Sequence, residues 1–250
     1  MPQRSKGDER VNAAGRPDPG RMRENLLRPL LPARVVVVEA PVEQMQAPPH
    51  PDEEVLIATA HPGRRREFLA GRTAARRALA ALGAPPGPIL AREDRAPVWP
   101  AGWVGSITHT RTHAAAAAAH ARDFAALGID FETVDRFDLP LARHILTLDE
   151  QVAMQALPLE ARQARLAAVF CAKEAFYKAQ HPLTGRWLGF QHVETPLAGD
   201  GGGFTVRMVG AAANIPRCEG RFQIAGGWAA AALAIAAEDS AALAQAVMGD

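Results

Sequence analysis

Lysine, cysteine and tyrosine are nearly missing from this chain of 250 residues: three lysines among 28 basic residues, two cysteines and one tyrosine. Cys171 and Cys218 lie far apart and belong to no repeat. They build no disulfide framework and imply a reducing compartment, so a cytoplasmic protein is expected. No apolar run reaches about 18 residues without a charge, so no membrane span is expected. The start lacks the apolar stretch of a signal peptide. A net charge of +1 argues against the broad positive footprint of a nucleic-acid binder, although a local basic patch stays possible. The histidines show no H-E-x-x-H spacing. Gly201-Gly202-Gly203 is followed by neither Lys-Ser nor Lys-Thr and opens no helix. It fits a hairpin loop better than a phosphate cradle.

What is present is concentrated. Two of the three lysines fall in one motif, Phe170-Cys171-Ala172-Lys173-Glu174-Ala175-Phe176-Tyr177-Lys178. A chain that otherwise uses arginine but keeps two lysines around one glutamate needs compact ammonium charges there. Upstream lies Gly128-Ile129-Asp130-Phe131-Glu132. On a strand, alternate side chains share a face, so both carboxylates point the same way. Two like charges so close are costly unless water or a cation relieves them. Mg²⁺ is typically held by one or two carboxylates plus substrate phosphates. Each motif also has a plainer reading. A D-x-E pair fits a solvated strand end, and Glu174 and Lys178 are spaced i,i+4, a surface pair worth about 0.3–0.5 kcal/mol. The apolar neighbours of the lysines speak against a solvated face. Arg64, Arg65, Arg66, Arg72, Arg76 and Arg77 crowd one helical segment, either as a solvated face or as an anion site. Gly105-Ser106-Ile107-Thr108-His109-Thr110 places small hydroxyl residues beside a histidine, which suits a phosphate.

Periodicity predicts strands over 34–39, 103–107 and 127–131 and helices over 64–82, 139–145 and 160–180. Residues 113–122, rich in alanine, fit either a helix by propensity or a buried strand by context. Residues 204–209 and 222–236 predict hairpin strands with Gly226-Gly227 as punctuation, and the tail from 238 to 250 either a short helix or a frayed end. Residues 1–21, polar and rich in Gly and Pro, are expected to be a disordered leader, or an extension upstream of a true start at Met22. The order strand–helix–strands, repeated, suggests two similar halves meeting near residue 127.

In combination the motifs resemble the 4'-phosphopantetheinyl transferase superfamily, in its larger Sfp-type group. That group pairs a G-[IV]-D-x-E strand with a later [FW]-[SC]-x-K-E-[AS]-x-x-K helix, matched here by residues 128–132 and 170–178. Residues 66–72 with Ala75-Arg76, Pro97-Val98-Trp99-Pro100 with residues 105–109, and residues 182–190 resemble its siderophore-synthetase and mycobacterial-type branch. The likeness covers residues 50–195 in the right order. It implies an α/β (α+β) fold of two pseudo-symmetric halves, each a small, mostly antiparallel sheet packed with a long helix, and an active site in the cleft between them. Residues 22–127 would bind the nucleotide phosphates; residues 128–250 would carry the metal and catalytic groups.

The resemblance further implies transfer of the phosphopantetheine arm of coenzyme A to a serine of an apo acyl or peptidyl carrier protein, releasing adenosine 3',5'-bisphosphate. Mg²⁺, or Mn²⁺ in its place, would be held by Asp130, Glu132 and Glu174. Glu174, directly or through a metal-bound water, would be the base, with Asp130 and Lys178 also catalytic. Lys173 and Lys178 would meet the pyrophosphate, and Arg64, Arg72 and His109, helped by Thr108, the 3'-phosphate. Relatives often carry a lysine where Ala91 stands here, and its role passes to Arg92. The partners expected are carrier proteins and coenzyme A, with no nucleic acid, no membrane and a monomeric state. Exposed arginines would steer an acidic carrier. Two other classes stay open: a Mg²⁺-dependent hydrolase of coenzyme A-like pyrophosphates, and a non-enzymatic nucleotide- or RNA-binding protein built on the arginine-rich helix.

Overall fold

The computed structural model describes residues 25–199, 201–211 and 214–249; the expected leader lies outside them. Two antiparallel sheets carry the architecture. In the first, β1 (Val36–Pro41) is followed by a short helix α1 (Pro51–Glu54) and a long helix α2 (Pro62–Ala81). Strands β2 (Trp103–His109) and β3 (His113–His120) complete it in the order β1-β3-β2. The second sheet starts with β4 (Phe124–Thr133). Two short helices, α3 (Ala142–Ile145) and α4 (Leu148–Gln155), precede the longest one, α5 (Leu159–Thr184). Strands β5 (Val193–Glu194), β6 (Gly201–Thr205), β7 (Arg207–Met208), β8 (Glu219–Ala225) and β9 (Trp228–Ala236) follow, then α6 (Ser240–Met248). The second sheet has the order β4-β9-β8-β6, and β5 pairs with β7 alone.

The alanine run resolves as a strand. β3 lies between β1 and β2, and its alternation sorts its alanines onto two buried faces. Ala114, Ala116 and Ala118 pack with Ala70, Ala74 and Ala78 of α2. Ala115, Ala117 and Ala119 face the core shared with Leu127, Ile129, Phe131 and Trp228 of the second sheet. Intrinsic preference is overridden because a sheet interior covered on both sides needs small apolar side chains. β9 repeats the device: Ala229 and Ala231 face the core under α5, while Ala230 and Ala232 face the first sheet. Leu26 and Leu27, ahead of β1, close the core between the sheets.

Other expectations need correction. Gly201-Gly202-Gly203 is not a loop but the start of β6, paired with residues 221–223 of β8. The helix expected over 139–145 is a 3₁₀ turn (Leu139–Leu141) followed by α3. Helix α4 went unpredicted, although Thr147 and Glu150 form a capping box at its start.

Gly128 sets the distance between β4 and α5. A Cβ at Gly128 would collide with the carbonyl of Ala175, which is helix backbone and cannot swing aside. The glycine in the G-[IV]-D-x-E pattern therefore serves close packing of strand on helix. Gly128→Ala is expected to cost about 3 kcal/mol, the upper end of overpacking penalties, and to disturb the site as α5 lifts. Equilibrium unfolding in urea checks it; an unchanged midpoint would show that the helix can shift freely.

Candidate active site

The site forms where a strand from each sheet meets α5. Two hydroxyls of β2 stitch the seam: the Ser106 hydroxyl accepts from Ile129 N at 3.2 Å, and that of Thr108 donates to Asp130 Oδ1 at 2.7 Å. From α5, Lys178 Nζ donates to the same Oδ1 at 2.7 Å and to the Ile129 carbonyl at 3.1 Å. Asp130 Oδ2 is buried and has no hydrogen-bond partner among the described residues. A buried carboxylate oxygen without a partner is costly, and such atoms call for a ligand.

A cavity of ≈740 Å³ opens over this wall, and Asp130, Glu132, Glu174, Lys178 and His109 all line it. A second, of ≈650 Å³, shares Ile107, Glu174 and Lys178 with it and is walled by Trp103, Tyr177, Leu188 and Phe190. Lys178 and Glu174 thus stand between a polar cavity and an aromatic one. Burial raises the Glu174 carboxyl, with Lys178 working against it and Asp130 with it. Burial, then Asp130, raises Glu132. Burial alone would lower the Lys178 ammonium, but Asp130 and Glu174 together outweigh it and the net shift is upward. The result is a fixed positive charge beside a carboxyl group with proton-accepting strength above the ordinary.

Arg64 and His109 also come together, with Nη1 and Nε2 2.7 Å apart and Glu67 near both. A guanidinium can only donate, so Nε2 of His109 accepts from Arg64; burial, then Arg64, lowers the His109 pKa. Arg92 is not with them. It lines the aromatic cavity, as Arg95 and Arg186 do.

Three expected roles change. Thr108 lines the polar cavity, but its hydroxyl is committed to Asp130 rather than free for a 3'-phosphate. Lys173 lines neither cavity. It is fully buried, and Nζ donates to Glu150 Oε2 at 2.6 Å, Phe190 O at 2.7 Å and Ile145 O at 2.9 Å. An ammonium has three donors, and all three are used within the protein. Arg72, only 7% exposed, lines neither cavity. Its Nε donates to Ile89 O at 2.7 Å and its Nη2 to Leu90 O at 3.4 Å, with the guanidinium over the Phe68 ring. Burial lowers its pKa to about 10. Arg72 braces the segment that leads to Arg92. Arg72→Ala is therefore expected to raise KM for coenzyme A and for dephospho-coenzyme A by the same factor, with about 1–3 kcal/mol of lost stability. A larger rise for coenzyme A alone would return Arg72 to the 3'-phosphate.

The sequence reading missed Arg136. It lies past the end of β4 in a 3₁₀ turn (Val134–Arg136), and its guanidinium donates to Glu132 Oε1. Strand alternation does not find it. The signal was the i,i+4 spacing from Glu132, which matters here because the chain coils directly after the strand.

Among the described residues no three His, Cys, Asp or Glu groups converge as a ready-made metal site. The donor chemistry still fits a hard divalent cation. Asp130, Glu132 and Glu174 line one cavity, with Glu67 also in its lining, and Asp130 offers a buried oxygen without a partner. Mg²⁺ needs only one or two protein carboxylates when phosphate oxygens supply others. No helix of the described residues is long and apolar enough to cross a membrane.

Carboxylates, a lysine and a histidine gathered on one wall of an inter-sheet cleft are groups of the kind a phosphate-handling enzyme uses. Comparison with known proteins makes the class specific. Residues 52–119 match the model of the 4'-phosphopantetheinyl transferase N-terminal domain, and residues 126–234 that of the 4'-phosphopantetheinyl transferase superfamily. The 4'-phosphopantetheinyl transferase Npt of Nocardia iowensis is 42% identical over 66% of this chain and 74% of its own length. Svp of Streptomyces mobaraensis is 39% identical over 75% and 78%, and PptT of Mycobacterium tuberculosis 38% identical over 74% and 82%. The chain belongs to the 4'-phosphopantetheinyl transferase superfamily, in the Sfp-type group that includes these relatives. It is an enzyme that moves the phosphopantetheine arm of coenzyme A to carrier proteins.

Proposed function

We propose that the wall of Asp130, Glu174 and Lys178 receives the pyrophosphate of coenzyme A together with Mg²⁺, or Mn²⁺ in its place. The observation that carries this is the buried, unpartnered Oδ2 of Asp130 in a cavity it shares with Lys178 and Glu174. Asp130, Glu132 and Glu174 would hold the cation, which when bound neutralises charge on the pyrophosphate oxygens. Glu174, directly or through a cation-bound water, would accept the proton of the carrier serine hydroxyl. The serine oxygen then bonds to the phosphorus nearer the pantetheine, and the bond from that phosphorus to the bridging oxygen breaks. Lys178 keeps its positive charge beside the leaving phosphate of adenosine 3',5'-bisphosphate, which lowers the cost of the charge that develops there. Arg64, paired with His109 of the cavity wall, suits the 3'-phosphate together with it. The aromatic cavity, lined by Tyr177, Leu188 and Phe190, suits the uncharged arm. Residues 22–127 and 128–250 act as nucleotide-binding and catalytic halves of a cytoplasmic monomer that needs no nucleic acid.

The test is incubation with coenzyme A, Mg²⁺ and a panel of apo acyl and peptidyl carriers. A carrier should gain the mass of one phosphopantetheine, and chelation of the divalent cation should stop it. Breakdown of coenzyme A without a carrier would favour a hydrolase. Salt-sensitive retention of RNA without coenzyme A binding would favour a nucleotide-binding protein.

A further inference from the structure

Of Asp130, Glu132 and Glu174, Glu132 is the one whose hydrogen bond, among the described residues, leads out to solvent. Its side chain is 9% exposed, while that of its partner Arg136 is 61% exposed. Three charged groups act on Glu132. Asp130 repels it, and Arg136 and Lys178 attract it. Lys178 is held by Asp130 and the Ile129 carbonyl, so Arg136 alone bonds Glu132 directly. Arg136 lines the same cavity as Asp130, Glu132 and Glu174. Its long, flexible side chain springs from a short turn with no side-chain cap, so it can swing into water without a new desolvation cost. The carboxylates do not converge as they stand, and the Arg136 bond draws one of them to its own cation.

We propose that Arg136 is a displaceable counter-cation: it occupies Glu132 when no divalent cation is bound and swings out when one enters, so it sets the cation affinity of the site. This rests on the reading of Asp130, Glu132 and Glu174 as the metal carboxylates. A plain i,i+4 ion pair is the competing account, and it links Arg136 to stability only. A competitor that closes the site about nine-tenths of the time weakens apparent affinity about tenfold.

The experiment titrates Mn²⁺ into the full chain, followed by the electron paramagnetic resonance signal of the free ion, with and without coenzyme A. Wild type, Arg136→Met and Arg143→Met are compared. Arg143 is exposed and lines neither cavity, so it controls for net charge. Arg136→Met should bind Mn²⁺ about tenfold more tightly than wild type, and Arg143→Met within about twofold. In parallel thermal melts, Arg136→Met alone should start lower than wild type, because Glu132 loses its partner. Mn²⁺ should then raise its Tm by more than that of wild type, through the tighter binding. Equal or weaker Mn²⁺ binding by Arg136→Met overturns the counter-cation role and leaves the metal reading in place. Absence of Mn²⁺ binding by every variant, with or without coenzyme A, overturns both.

Discussion

Asp130→Ala is expected to lower kcat for phosphopantetheine transfer about 10³-fold, the scale of losing one preorganised charge-stabilising group, while the protein stays folded. The stability terms nearly cancel. The substitution removes bonds from Thr108 and Lys178, but Lys178 keeps the Ile129 carbonyl. It also removes a buried oxygen that has no partner, and a negative charge that raises the pKa of both Glu132 and Glu174. A melting temperature within a few degrees of wild type follows, since the net change is about 1–2 kcal/mol. Paired measurements of kcat and Tm decide the matter. Near-normal turnover at saturating Mg²⁺ would remove Asp130 from the reaction.

Lys173→Met should do the reverse. It strands Glu150, whose Oε2 loses its ammonium partner, and leaves the carbonyls of Ile145 and Phe190 without a donor. Glu150 keeps bonds from Thr147 N at 3.0 Å and Thr195 N at 2.8 Å, but no cation. Burial already pulls the Lys173 pKa down against the pull of Glu150, so the ammonium is costly to bury and is retained only by its partners. Breaking a buried pair on one side costs about 3–5 kcal/mol. Chemical denaturation should show that loss, together with a weakened aromatic cavity, because Phe190 is one of its walls. Lys178→Met also strands a buried carboxylate, that of Asp130, so it should cost stability too, but it should stop the reaction as well. If Lys173→Met kept its stability and lost only affinity for coenzyme A, the ammonium would belong on the pyrophosphate after all. Two lysines five residues apart in one motif would then share one role, which their surroundings argue against.

Much of this was legible in the residues themselves. Alternation placed Asp130 and Glu132 on one face of a strand, and the i,i+4 step brought Glu174 and Lys178 together on a helix. Both are local geometries that follow from backbone periodicity, and both sets of residues line one cavity. The scarcity of lysine pointed to Lys178, which lines both cavities. The same scarcity misled at Lys173. Which way a helical side chain faces depends on what packs around the helix, and here α4 and the segment ending at Phe190 close over that side. Arg72 shows the same limit: the arginine-rich face was evident, but the carbonyls of Ile89 and Leu90 that claim the guanidinium lie across a turn that periodicity does not describe. The alanine strand β3 was ambiguous for a related reason. Alanine carries no directional preference strong enough to resist its surroundings, and only the stacking of α2 on one face and the second sheet on the other made it a strand. The sequence alone therefore determined the chemical inventory and its order along the chain. The tertiary structure decided which cations face the cavities and which are spent on internal acceptors, because a charge takes its role from the acceptors that burial leaves within reach.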